Sequence, residues 1–349
     1  MEGGNRLGPD LFIEELMLLL SQTLTRMEVA EHYEFIKELG SGSYGQVHLV
    51  KHRFRGTMMA LKLMDKSKTQ KRCFLREYSV SLYLSTHPFI TTAFGIAFES
   101  SDHYVFVQEY APVGDLFDLI QPQVGIPEGA AKRCALQVAM ALEHLHGRGL
   151  VHRDVKPENI LLFDRECRCV KLADFGLVRR TGLNVWHTAS AVPYMAPELC
   201  AEAARREGAR VGRGEDVWAF GVLLYSVLTG NFPWERTSAE DRLYRAFARW
   251  QEGAPAPAQT PAQWKCFTRP AALMLRGFLA LRPQDRPPAG DIMRYLKLRW
   301  LAHPEARPRA PKEVARPPGQ AIPPPVKAES GLAPRIFRDS SISHHRKLP

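Results

Sequence analysis

His152-Arg-Asp-Val-Lys-Pro-Glu-Asn159 decides how the rest of this chain is read. The loop sets a carboxylate (Asp154), a cation (Lys156) and a carboxamide oxygen (Asn159) close together along the chain. A carboxylate can orient a hydroxyl and accept its proton. A lysine can neutralise a migrating phosphoryl group, and an asparagine oxygen suits a hard divalent cation. All these residue types at this spacing do not arise by chance. Asp174-Phe-Gly176 follows, and its carboxylate can bridge Mg²⁺ to β- and γ-phosphates. Ala196-Pro-Glu198 closes the segment.

Working upstream, Gly40-Ser-Gly-Ser-Tyr-Gly-Gln-Val47 lies between two strand-like runs. Glycines there let backbone N–H groups approach phosphate oxygens unobstructed. The pattern also marks dinucleotide-binding folds and ordinary turns, but a dinucleotide site needs a helix next, and Gln46-Val-His-Leu-Val50 reads as a strand. The following strand carries Lys62 between apolar neighbours, where an unpaired buried charge is unfavourable. Two anionic partners are at hand: nucleotide phosphate, and Glu77 on the next helix.

Taken together, these motifs resemble the eukaryotic protein kinase superfamily over residues 33–300. The resemblance implies a bilobal α+β fold with ATP and Mg²⁺ in the cleft. It implies a catalytic set of Asp154 as base, Lys156, and Lys62 paired with Glu77, with Asn159 and Asp174 as metal ligands. Gly40, Gly42 and Gly45 would cover the phosphates. Leu39, Val47, Ala60 and Leu161 would sandwich adenine, with hinge backbone from Glu109 and Ala111 and Gln108 guarding the back pocket. Glu198 would pair with Arg286, and Asp216 would anchor the catalytic loop from below. Lys156 in its loop is similar to the serine/threonine branch.

Arg153 leaves two readings open, activation-segment phosphorylation at Thr188 first and then Thr181 or Ser190, or a segment that needs no phosphate. Ser190-Ala191 stands where that branch has Gly-Thr, so a hydroxyl that bonds the catalytic Asp and Lys is missing. Asp115 and Glu158 match acidic positions that receive arginine in basophilic relatives, while Ser226 stands where another acid often lies.

The chain has 349 residues, 45% hydrophobic and 24% charged, which suits a sizeable core. Its formal charge of +10 fits ATP, phosphoproteins, membrane surfaces or a dispersed solubilising surface. No basic stripe with interleaved aromatics supports nucleic-acid binding. Six scattered cysteines without a C-x-x-C pair read as reduced thiols. The apolar run from Leu11 to Leu20 is broken by Glu14 and Glu15; neither a secretory leader nor a membrane span is expected, nor N-myristoylation. The cytoplasm, or the nucleus, is the expected location, and a monomer the expected state.

Three parts are expected: a helical extension (1–32), a kinase-like domain (33–302, lobes 33–111 and 112–302), and a disordered tail (303–349). The spacing predicts helices over 9–27, 71–84, 130–147, 216–229, 269–281 and 291–301. Apolar residues surround most of the first helix, so it must be buried against something: the neighbouring domain, a partner or a membrane surface. Strands are predicted over 33–39, 46–50, 57–63 and 104–108, and strands before helices suggest α+β. The tail is dense in proline and arginine, with Pro308-x-x-Pro311 and Ile322-Pro-Pro-Pro-Val-Lys327, a composition for polyproline II docking on SH3 or WW domains or for a flexible spacer. Size, a compact catalytic domain and this tail resemble the SH3-domain-binding kinase family. An active kinase is the first reading; a weakly active or silent kinase-fold scaffold that recruits SH3-type partners is the alternative.

Overall fold

The computed structural model describes residues 9–42, 45–186, 192–253 and 260–302. Two lobes result, the first built on a six-stranded sheet of order β1-β5-β6-β4-β3-β2. Its strands are β1 (Thr25–Arg26), β2 (Tyr33–Gly42), β3 (Gly45–His52), β4 (Met58–Asp65), β5 (Ala93–Glu99) and β6 (His103–Gln108). All neighbours run antiparallel except β1, which lies parallel to β5 with Thr25 opposite Phe98. The sheet therefore begins before residue 33.

Alternation along the strands sorts the side chains. Met59, Leu61 and Leu63 of β4 join Val105 and Val107 of β6 in an apolar layer closed by Tyr33 and Phe98. Met64 and Phe106 belong instead to the main core with Phe74 and Tyr78 of helix α3 (Lys71–Leu84). Lys62, two positions from Met64 and opposite Phe106, takes this α3 side of the sheet.

Helix α1 (Pro9–Thr23) packs on α3; a short α2 (Val29–His32) precedes β2. The predicted helix 9–27 thus ends earlier, because Thr25 and Arg26 pair with β5. Only one face of α1 is buried, through Ile13 and Met17, while Leu11, Leu18 and Leu19 stay exposed. Of the surfaces expected to cover this helix, the neighbouring domain is the one it packs against.

The second lobe is mainly helical. It contains α4 (Leu116–Leu119), α5 (Glu128–His146), α6 (Pro197–Cys200), α7 (Glu202–Glu207), α8 (Gly214–Thr229), α9 (Arg242–Glu252) and α10 (Arg269–Phe278). Every residue of α8 is buried, the mark of a central helix. It ends at Gly230 in the left-handed region (φ 65°), where a Cβ would meet Gln121 O at 2.1 Å. Short strands β7 (Gly114–Asp115), β8 (Leu150–Val151), β9 (Ile160–Leu162), β10 (Val170–Leu172) and β11 (Arg179–Arg180) frame the catalytic loop. A 3₁₀ segment, Pro157–Asn159, turns that loop into β9.

The helix predicted over 291–301 is not formed; Ala289–Arg294 is 3₁₀. Backbone pairing elsewhere wins there. Glu128 accepts from the Trp300 and Leu301 amides at 3.0 and 2.9 Å, and Thr268 N–H donates to Trp300 O at 2.9 Å. These bonds seat the fully buried Trp300 ring, and the Tyr295 and Leu298 amides bond three residues back, to Ile292 and Tyr295, rather than four.

Candidate active site

Lys62 stands on β4 and Glu77 on α3, and the lysine ammonium donates to Glu77 Oε1. The same ammonium lies 3.2 Å from Asp174 Oδ1. Burial disfavours the lysine charge, but Asp174 and Glu77 outweigh it and hold Lys62 above its ordinary value. Burial raises Glu77, with Lys62 opposing that rise. Asp174 is held below the usual carboxylate range, first by the Lys62 charge. The result is a charged trio with Asp174 half exposed.

The catalytic loop is held from inside. Asp216, fully buried at the start of α8, accepts from the His152 amide at 2.8 Å and the Arg153 amide at 2.7 Å. His146 Nε2–H donates to the same carboxylate at 2.8 Å. Burial pushes Asp216 up, yet the His146 bond and the other partners hold it below its ordinary value. His152 itself is a buried bridge. Its Nε2–H donates to Ala173 O at 3.1 Å, which leaves Nδ1 to accept from the Asp154 amide at 3.3 Å. Phe175 packs edge-on against its ring, 5.4 Å between centroids. Arg153 and Asp174 both take left-handed backbone (φ 71° and 62°), strain that these bonds sustain.

Asp154 Oδ2 receives Lys156 Nζ at 2.9 Å and Asn159 Nδ2 at 2.8 Å. Asn159 Nδ2 also donates to Asp154 O at 2.7 Å. Among the described residues this leaves Asp154 Oδ1 and Asn159 Oδ1 as available acceptors. Burial works against the Lys156 charge, but Asp154 then raises it, and Asp174 adds to the same effect.

Gly40 pairs with Val47 and Gly42 with Gly45 across the β2–β3 hairpin. A Cβ on Gly40 or Gly42 would meet nothing within 4 Å, so the protein's own packing does not demand glycine there. Bare backbone facing open space suits phosphate oxygens. Gly45 differs, since its Cβ would lie 1.9 Å from Leu63 O. Val47 is opposite Lys62, Ala60 is opposite Gln108, and Leu161 on β9 is opposite Asp115 and Lys171.

The Glu109 carboxylate accepts from Lys171 Nζ at 2.7 and 2.8 Å and from the Thr92 amide at 2.5 Å. Its own amide donates to Thr92 O at 3.0 Å. Among the described residues, the Glu109 carbonyl and Ala111 amide, the two atoms that the resemblance implies for the hinge, keep no backbone partner. Sequence reading missed Lys171, although a lysine between Val170 and Leu172 carries the same signal as Lys62.

No cluster of three or more His, Cys, Asp or Glu able to hold a metal exists among the described residues. Asp174 and Asn159 are hard oxygen donors that fit Mg²⁺ when phosphate oxygens and water complete its shell. Glu198 pairs bidentately with the buried Arg286 at 2.6 and 2.7 Å, as the resemblance implied. Arg153 Nε lies 3.5 Å from Glu215 Oε2, and burial chiefly pushes Glu215 up to about 7. Arg179 is lowered by burial and then by the charges of Arg76 and Arg153.

Asp115 caps α4 by accepting from the Asp118 amide at 3.2 Å, and burial raises it to about 6. Glu158 is also raised by burial. Ser226 is buried and donates to Val222 O at 3.0 Å within its helix. Thr181 bonds through its amide to Gly149 O at 2.8 Å. Thr188, Ser190 and Ala191 lie outside the described residues, as do Pro308, Pro311 and the rest of the tail. No helix among the described residues is long and apolar enough to cross a membrane.

Residues 33–300 match the protein kinase domain family. Serine/threonine-protein kinase SBK1 of Mus musculus is 50% identical over 343 residues, covering 98% of this chain and 81% of the relative. Serine/threonine-protein kinase SBK2 of Homo sapiens is 45% identical over 289 residues, 82% of this chain and 83% of the relative. Serine/threonine-protein kinase meng-po of Drosophila melanogaster is 33% identical over 288 residues, 82% and 62% of the two chains. The cleft geometry and these similarities agree: the chain belongs to the eukaryotic protein kinase family, as a serine/threonine kinase closely related to SBK1 and SBK2.

Proposed function

We propose that this kinase moves the γ-phosphoryl group of ATP onto serine or threonine hydroxyls of proteins with Asp154 as the base. One observation carries the reading: Lys62 bonds Glu77 and lies 3.2 Å from Asp174, while Asp154 Oδ2 receives Lys156 at 2.9 Å and Asn159 at 2.8 Å. Lys62, oriented by Glu77, holds the α- and β-phosphates. Asp174 and Asn159 would hold Mg²⁺, which when bound would supply charge neutralisation for the phosphates. Asp154 Oδ1 orients the substrate hydroxyl and takes its proton as the oxygen bonds to Pγ. The Pγ–O bond to ADP breaks, its electron pair leaves on the β-phosphate, and Lys156 steadies the equatorial oxygens.

Adenine lies among Leu39, Val47, Ala60 and Leu161, bonded to the Glu109 carbonyl and Ala111 amide. Residues 33–111 thus carry most of the nucleotide contacts, and 112–302 add Leu161, Asn159 and Asp174 together with the base and the peptide. Asp115 and Glu158 favour an arginine before the phosphoacceptor. The 303–349 tail serves as an SH3 ligand through Pro308 and Pro311, and a monomer in the cytoplasm is the working state. Pull-down on an SH3 panel, with P308A/P311A as the control, tests the tail.

A radiometric assay with Mg·ATP and a peptide library tests the central reading. Asp154→Asn is expected to lower kcat by about 10²–10⁴-fold with ATP binding retained. Turnover by that variant at the wild-type rate would refute it. Equal inactivity of both proteins, with nucleotide still bound, would favour the silent scaffold.

A further inference from the structure

We propose that residues 9–27 form a clamp in cis that sets the working position of α3, with Ile13 and Met17 as positioning residues for the Lys62–Glu77 pair. The inference rests on the reading of that pair as the nucleotide handler.

Helix α3 has few holds of its own. Gln70 gives it no side-chain N-cap, its first turn carries no acid, and its last turn carries no base. A helix so poorly capped depends on what packs against it. One flank lies on the sheet, where Phe74 stacks on Tyr104 at 5.1 Å and meets Phe106 at 6.3 Å. The other flank meets α1. Ile13 is 1% and Met17 5% exposed, in the same core as Phe74 and Tyr78, with Leu20 and Leu24 packed behind them. Phe12 meets Tyr83 of α3 at 5.4 Å. Glu14 lies 3.5 Å from Arg76, the residue before Glu77, and 3.9 Å from Arg72.

Beyond α1 the chain is pinned to the sheet. Thr25 and Arg26 pair with Phe98 and Glu99, the Met27 amide donates to Glu99 O at 3.0 Å, and Glu28 accepts from the Ser101 amide at 2.9 Å. The clamp therefore has a fixed anchor and a helix laid along α3. Glu77 is buried with Lys62 as its partner, so a small shift of α3 would strand both charges. The opposite face of α1, with Leu11 and Leu18 exposed, takes no part and supplies the control.

The test uses the full chain. I13S/M17S is expected to lower kcat by about 10²-fold, the effect of an ångström-scale misplacement. A synthetic peptide of residues 9–27, added in trans, is expected to restore most of that loss. I13V/M17L and L11S/L18S are expected to turn over at the wild-type rate. Wild-type kcat in I13S/M17S overturns the proposal. So does a loss that the peptide does not repair, because α1 would then serve only folding. If I13S/M17S does not accumulate as folded protein by far-UV circular dichroism, Met17→Ala is read by the same two criteria. Lys62→Met separates the two ideas. Activity retained there sinks the reading of the ion pair, whereas activity lost there with I13S/M17S unaffected sinks the clamp alone.

Discussion

Replacing Asp216 by asparagine tests the footing on which the catalytic loop stands. The carboxylate is fully buried and accepts three hydrogen bonds, from the His152 and Arg153 amides and from His146. Asparagine keeps one acceptor oxygen and turns an NH₂ group toward at least one of those donors. Each charge-assisted bond contributes about 1.5–3 kcal/mol, and a buried donor left unsatisfied costs about 1–3 kcal/mol. Asp216 also helps hold Arg153 at φ 71°. The sum is about 3–5 kcal/mol, the scale of a broken buried charge site.

The pH dependence has a definite sign. Asp216 is held below its ordinary value, so its contribution is fully present above the unfolded carboxylate range and is lost as pH falls through the lower folded value. The gap between wild type and D216N should stay constant at neutral pH and close only in strong acid. Urea unfolding followed by tryptophan fluorescence suits the measurement, since Trp218, Trp234, Trp264 and Trp300 are all buried in the helical lobe. A destabilisation below about 1 kcal/mol, with kcat unchanged, would refute the reasoning.

Arg286→Met should destabilise the helical lobe by about 3–5 kcal/mol, because Glu198 loses a bidentate partner; urea midpoints check this. The hairpin glycines should separate. Gly42→Val is expected to raise KM for ATP with the melting temperature unchanged, whereas Gly45→Ala, with a Cβ 1.9 Å from Leu63 O, should lower stability by about 1–3 kcal/mol. With Asp115 near 6, KM for an arginine-bearing peptide should rise as pH falls below about 6 and the carboxyl gains its proton. Peptides lacking arginine should show no such rise, and D115N should flatten the profile.

The catalytic loop was legible because its chemistry demands particular side chains at fixed spacing, and Asp154, Lys156 and Asn159 lie within direct reach of one another. Lys62 and Glu77 were legible as a pair because a strand lysine among apolar neighbours needs a counter-charge. Less visible were features decided by distant backbone. The 291–301 run has helical periodicity, but Glu128 and Thr268 claim the backbone around Trp300. The face that α1 buries follows from where β5 captures Thr25, which periodicity does not carry. Helix α9 had a readable signal that went unread. Asp241 caps it by accepting from the Leu243 and Tyr244 amides, and Tyr244, Phe247 and Trp250 recur along its buried face.

The grip of Glu109 on Lys171 and Thr92 bears on how fast the enzyme can let go of its product. A carboxylate that ties the connecting strand to β10 acts as a weld beside a door hinge. Any pivot between the two lobes would then lie beyond it, toward Gly114, whose φ of 95° departs from ordinary strand geometry. Product escape often limits turnover in enzymes that close over their substrates. On the proposed function, Lys171→Met would change the rate of product release and leave the burst of phosphoryl transfer unchanged, which pre-steady-state kinetics checks.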